Sequence, residues 1–137
     1  MQKVLLLVLS LICGTAYASN WAKIPHSATA TGEDYVDTES IKVNGGMRQA
    51  WIKTVFVPKT MKGLPPRKTT WVSLTMSLIE FDCGEKASRI LSFTGYYVDN
   101  DKVTINTPDE WQPAAPDTVD QARLDFLCRP TRLQKPG

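Results

Sequence analysis

Ser77-Leu78-Ile79-Glu80-Phe81-Asp82-Cys83-Gly84 reads as a buried strand that stops at a turn and leaves a thiol at its end. The strand extends back to Thr70, longer than a plain strand, and its pattern shows how it copes. Val72, Leu74, Met76 and Leu78 occupy even positions, whereas Ile79, Phe81 and Cys83 occupy odd ones. That change of phase between Leu78 and Ile79 predicts a β-bulge. Gly84-Glu85 then turns the chain into a second long strand over residues 88–98, and Asp99-Asn100-Asp101 turns it again into Lys102-Val103-Thr104-Ile105-Asn106.

Upstream, residues 49–57 are rich in branched and aromatic side chains and stop at Pro58. Ala50, Ile52 and Phe56 share one face, while Trp51, Val55 and Val57 share the other, so both faces are expected to be partly covered. Before them, Ser40-Ile41-Lys42-Val43 runs into Asn44-Gly45, a dipeptide that tolerates positive φ at both turn positions and predicts a hairpin. Glu33 to Thr38 has β-type composition, and Trp21 and Ile24 are expected core contacts. Neighbours in sequence therefore pair in space as an antiparallel meander.

After Pro113 and Pro116 the periodicity changes. Asp117 is a candidate N-cap, and Asp120 lies in the first turn, where a negative charge suits the helix dipole. Val119, Ala122, Phe126 and Leu127 form an apolar stripe at helical spacing, ending near Cys128 before Pro130. The fold class is α+β: a small antiparallel sheet with a C-terminal helix packed on it.

At the other end, Lys3 precedes an apolar run from Val4 to Ile12, followed by Ala16-Tyr17-Ala18 with small residues at alternate positions. This is the three-part pattern of a secretory signal peptide over residues 1–18, cut after Ala18. The run is shorter than the roughly 20 residues a membrane span needs, and no later stretch is longer. Cys13 raises the alternative of a lipidated N-terminus, but Ile12 is large where that processing requires a small residue. Residues 19–137, roughly 120 in all, suit one domain with one core.

Removal of Cys13 with the leader leaves Cys83 and Cys128 as an even pair in an exported chain. That arithmetic favours one disulfide over two free buried thiols, and it staples the helix to the sheet. The formal net charge is +2 for the whole chain, and loss of Lys3 brings it to +1. So small an excess argues against nucleic-acid binding.

No catalytic constellation is apparent. His26 is the one histidine, beside Pro25 in a loop, with no Gly-x-Ser-x-Gly turn to hold a nucleophile. One histidine and two bridged cysteines do not make a zinc site, and Glu33/Asp34, Asp99/Asp101 and Asp109/Glu110 are explained by turn chemistry rather than calcium. No cofactor or metal is expected, and no phosphate-cradling glycine loop is present. The best functional candidates from composition are Lys59, Lys62, Arg67 and Lys68, in a loop with Gly63, Pro65 and Pro66. Their charge suits sulfated polysaccharide, anionic lipid or an acidic protein patch, although a charged loop also serves solubility. Tyr96-Tyr97 either places one ring outward for a partner or fills both faces of a covered strand.

Several of these motifs, in this order, resemble the surface-adhesin protein E family of Gram-negative bacteria. They are Trp21, Tyr35-Val36-Asp37-Thr38-Glu39-Ser40-Ile41, Ala50-Trp51-Ile52-Lys53, Glu80-Phe81-Asp82-Cys83, Arg89-Ile90-Leu91-Ser92 with Tyr96-Tyr97, Trp111, and a helix ending in Cys128. The resemblance implies a sheet of about six strands, a packed helix and a Cys83–Cys128 bridge. It also implies a non-enzymatic, exported protein, secreted or at the cell surface, and the lack of a lipidation site at Cys13 favours the periplasm or release. Partners implied are host extracellular-matrix or serum proteins such as vitronectin and laminin. An alternative is a periplasmic accessory or stress-related protein of the same fold with no host ligand.

Overall fold

The computed structural model describes residues 18–25, 27, 32–56 and 72–129 of the 137. Its centre is the antiparallel pair β5 (Val72–Asp82) and β6 (Ala87–Tyr97), each 11 residues long. β4 (Met47–Phe56) flanks β5, and β7 (Lys102–Ile105) flanks β6. β2 (Gly32–Asp37) pairs with residues 52–56 of β4, and β1 (Trp21–Lys23) pairs with β2. The order is β1-β2-β4-β5-β6-β7, with every pairing antiparallel. Two short strands complete the edges: β3 (Lys42–Asn44) lies against residues 47–49 of β4, and β8 (Gln112–Pro113) against Ala87 and Ser88 of β6. The expected meander of about six strands is thus present as the main path, with β3 and β8 beside it.

A single register rule assigns the faces, because side chains alternate along a strand and Cα partners share a face. Val36, Ala50, Ile52, Ile79 and Phe81 fall on one face and are buried there with Ile24. The helix α1 (Val119–Leu127) covers that face and inserts Leu124 and Leu127. Among the described residues no helix is long and apolar enough to cross a membrane.

The sequence reading of β5 needs correction. A register shift does occur between Leu78 and Ile79, but Leu78 faces Ser92 and Ile79 faces Ile90, so the extra residue is Leu91 on β6. A second shift puts Ser73 out of pairing near the start of β5. From Leu74 to Asp82, β5 keeps one phase: Thr75, Ser77, Ile79 and Phe81 are buried, while Leu74, Met76 and Leu78 lie on the opposite face. The phase is set by Ile79 and Phe81 against Ala50 and the helix, and two hydroxyl residues follow them inward. Trp21 is likewise corrected: it lies opposite Asp37 on the outer face, and Ile24 alone enters the core.

The hairpin between β3 and β4 also differs in detail. Asn44 faces Met47, so the two turn residues are Gly45 and Gly46, and Gly45 alone has φ in the left-handed range, at 56°. A Cβ at Gly45 would meet nothing within 4 Å. Gly45→Ala is therefore expected to cost about 1 kcal/mol from backbone strain alone, with an unchanged near-UV spectrum; a loss several times larger in a denaturant melt would contradict this account.

The helix begins one residue later than expected. Thr118, not Asp117, is the N-cap, its Oγ1 accepting the Gln121 N–H at 3.3 Å, while Asp117 sits at φ 59° in the preceding turn. Its inward stripe is also different. Leu124 and Leu127 are the buried anchors, and Asp120, Arg123 and Cys128 share their side of the helix at helical spacing. A search for apolar residues alone misses this stripe, because two of its members are charged.

Candidate binding face of the sheet

The face opposite α1 carries Trp21 of β1, Tyr35 of β2, Trp51 and Lys53 of β4, Leu74, Met76 and Leu78 of β5, and Thr94 and Tyr96 of β6. No helix covers it. Trp21, Asp37, Trp51, Met76, Thr94 and Tyr96, with Ser19 at one end, line a shallow groove of about 330 Å³. Large apolar and aromatic side chains grouped on an uncovered face mark interaction surfaces more often than scattered single ones do. Tyr96 is 37% exposed while Tyr97 is 6% exposed, so the tyrosine pair divides between groove and core.

Charged groups hold the aromatic rings in place. Lys53 Nζ stands 4.4 Å from the centroid of the Trp21 ring and 5.3 Å from that of Tyr35, both within cation–π range. Tyr35 Oη donates to Glu33 Oε2 at 2.9 Å, and Lys23 Nζ donates to Glu33 Oε1 at 2.7 Å. At the other end of the same face the Arg89 guanidinium lies 4.7 Å from the Trp111 ring and donates to Glu80 Oε2 from Nε at 2.8 Å and Nη2 at 2.7 Å.

The Lys23–Glu33–Tyr35 cluster has a defined pH behaviour. The Lys23 hydrogen bond, seconded by that from Tyr35, holds the Glu33 carboxyl below its ordinary value of 4.5. The same carboxylate raises the pKa of Lys23 and of Tyr35, in each case chiefly through its hydrogen bond. A lowered carboxyl stabilises the fold above its unfolded pKa and loses that contribution as pH falls through the folded one; the raised lysine and tyrosine lose theirs as pH rises through their folded values. The cluster is therefore intact at neutral pH and opens at both extremes. In an NMR titration Glu33 should titrate below 4.5 and return most of the way in Lys23→Met, less in Tyr35→Phe. Because the pair is exposed, neither change should move the melting temperature measurably. A Glu33 midpoint at or above its ordinary value in the unaltered protein would overturn this.

Beneath the sheet, Glu33 and Asp34 are not in a turn as expected but in β2, where alternation sends Glu33 out and Asp34 in. The Asp34 side chain is 2% exposed and meets Arg123 of α1, whose Nε donates to Oδ2 at 2.7 Å, while Thr54 Oγ1 donates to Oδ1 at 2.6 Å. Arg123 Nη1 also donates to Asp120 Oδ1 at 2.9 Å. The buried carboxylate is paired with a cation and both its oxygens accept hydrogen bonds, which makes this a fastening between helix and sheet rather than a reactive group. Asp99 and Asp101 do lie in the β6–β7 turn, Asp101 N–H donating to Asp99 Oδ1 at 3.2 Å.

Cys83 and Cys128 are bridged, with Cα atoms 5.5 Å apart across 45 residues of sequence. Lys59, Lys62, Arg67, Lys68 and His26 lie outside the described residues, as do residues 1–17 with Cys13. Among the described residues no group of three or more His, Cys, Asp or Glu is arranged to hold a metal ion. The aromatic groove was not foreseen as a unit. Alternation groups Trp51 with Val55 and Val57 and leaves open which of Tyr96 and Tyr97 turns outward, and the meeting with Trp21 and Met76 depends on strand order and register.

Residues 21–129 match the family model described as surface-adhesin protein E. Among solved structures the chain is similar to the selenomethionine form of Haemophilus influenzae protein E, with a TM-score of 0.54 at 14% identity over 84% of this chain and 90% of that one. It is also similar to crystal form II of Haemophilus influenzae protein E, with a TM-score of 0.52 at 13% identity over 80% of this chain and 96% of that one. At these identities the likeness is one of fold. No curated protein matches the chain. The family match spans every element from β1 to the end of α1, and the protein belongs to the surface-adhesin protein E family.

Proposed function

We propose that this is an exported, non-enzymatic binding protein that holds a host extracellular-matrix or serum protein, or a sulfated polysaccharide, on the uncovered face of its sheet. The observation that carries the proposal is the grouping of Trp21, Trp51, Met76 and Tyr96 around one groove, on a face that the helix leaves open. Tryptophan, tyrosine and methionine are the residues enriched at the centres of protein interfaces. Membership of a family of surface adhesins supports both the binding role and the exported or surface location.

Export is proposed to be accompanied by cleavage after Ala18, which makes Ser19 the first residue. Ser19 lies at one end of the groove. Lys59, Lys62, Arg67 and Lys68 are the competing proposal for the binding determinant.

The test is binding of the processed chain to immobilised vitronectin, laminin and heparin, for the unaltered protein, for Trp51→Ala, and for a variant with the four loop cations neutralised. Trp51→Ala is expected to lower affinity at least tenfold, as truncation of an interface aromatic typically does. Loss confined to the loop variant would transfer the site to the loop. Absence of binding to all three ligands would favour an accessory protein without a host ligand.

A further inference from the structure

The groove's charges narrow the class of partner, given the binding role proposed above. Asp37 lines the groove, but its Oδ1 accepts the Asn20 N–H at 3.0 Å and the Glu39 N–H at 3.2 Å, so its charge faces backbone donors. Glu33 and Glu80 are paired with Lys23 and Arg89. In the turn beside Tyr96, Asp99 accepts the Asp101 N–H, and Asp101 Oδ1 accepts the Lys102 N–H at 2.9 Å. Three cations on this face have no acidic partner among the described residues: Lys42, at the Gln49–Glu80 end, and Lys53 and Lys102, on the strands that flank β5 and β6. Lys53 is stacked on Trp21 and Tyr35, and Lys102 is the Cα partner of Tyr96.

Lys53 sits on β4 and Lys102 on β7, three strand spacings apart and two residues out of line, or about 16 Å from 4.8 Å per spacing and 3.3 Å per residue, a span that the long lysine side chains can shorten. Between them lie Met76 and Tyr96, with Leu74 and Leu78 alongside on β5. In an extended polypeptide, residues i, i+2 and i+4 point the same way, and i to i+4 spans about 13 Å.

From this correspondence we infer that the groove takes an extended, acidic polypeptide segment, with carboxylates at i and i+4 against Lys53 and Lys102 and an apolar side chain at i+2 over Met76 and Tyr96. A thioether and branched aliphatic groups gain from burial against other apolar groups. A sulfated sugar offers the anions but no apolar side chain, so the floor of the groove favours polypeptide.

The test is an NMR titration of the processed protein with a short synthetic peptide carrying glutamate, serine, leucine, serine and glutamate in that order. Two further probes are its glutamine counterpart and a heparin oligosaccharide. The acidic peptide is expected to shift the Trp51 and Trp21 indole resonances. The glutamine peptide should bind at least fivefold more weakly, and Lys53→Gln combined with Lys102→Gln should reduce the acidic peptide's affinity about tenfold, roughly the loss expected for two exposed charge pairs. Neither lysine is in the core, and an unchanged melting temperature for the double variant would show that folding is intact.

Equal binding of the glutamine peptide would overturn the inference, as would indole shifts produced by heparin and not by peptide, or the absence of any shift on this face. The heparin result would leave the face as the binding surface and change only the ligand. Failure of the binding role itself is read separately, from the immobilised matrix proteins.

Discussion

Replacing both Cys83 and Cys128 by serine, or reducing the bridge, is expected to cost about 4 kcal/mol of folding stability and to lower the melting temperature by roughly 12–20 °C. The bridge joins the end of β5 to the C-cap of α1 and closes a loop of 45 residues, whose opening restores that much entropy to the unfolded chain. The effect should also be local. α1 is 9 residues long, too short to be stable alone, and rests on two leucines and one ion pair. Without the bridge its C-terminal end is free to leave before the sheet unfolds, exposing Ile24, Val36, Ile52 and Phe81. Hydrogen exchange should therefore accelerate first at the amides of residues 122–128, and the reduced protein should bind a hydrophobic dye at temperatures where the oxidised one does not. A melting shift of under about 3 °C, with α1 amides as protected as before, would contradict this picture.

Arg123→Met is expected to cost about 3–5 kcal/mol, the range for removing one partner of a buried ion pair. The asymmetry between the two partners makes the prediction sharper. The Asp34 side chain is 2% exposed against 17% for Arg123. Loss of the arginine strands a carboxylate with only the Thr54 hydroxyl and its own strand around it. Loss of the carboxylate in Asp34→Asn leaves the guanidinium bonded to Asp120 and within reach of water, so that variant should lose only about 1–3 kcal/mol. Replacing both groups with apolar residues of similar volume should recover much of the loss. Denaturant melts of the two single variants and the double one supply the comparison. Equal losses in the two single variants would mean that the pair is solvated and holds α1 only weakly.

The two predictions concern the same joint, and only one was visible beforehand. The disulfide is an expectation from counting, since a leader that took Cys13 with it would leave two cysteines in an oxidising compartment. The ion pair joins residues 89 positions apart, and nothing local distinguishes Asp34 from its neighbour Glu33. Alternation puts one of them inward, and which one depends on the register of β2 against β4.

By itself the sequence determined what is local or arithmetical. It indicated strands from their branched and aromatic composition, turns from glycine, asparagine and aspartate, a helix from its period, and a disulfide from cysteine parity. The structure alone decided which face each strand turns inward. In β5 the apolar residues occupy both phases, so composition cannot choose between Met76 and Thr75, whereas packing of Ile79 and Phe81 under α1 can. That choice sends Leu74, Met76 and Leu78 out beside Trp51 and Tyr96 and so creates the binding face. Side-chain direction repeats every two residues, and one unpaired residue reverses it; Ser73 and Leu91 are such residues, and their positions are fixed by pairing across strands rather than by anything along one.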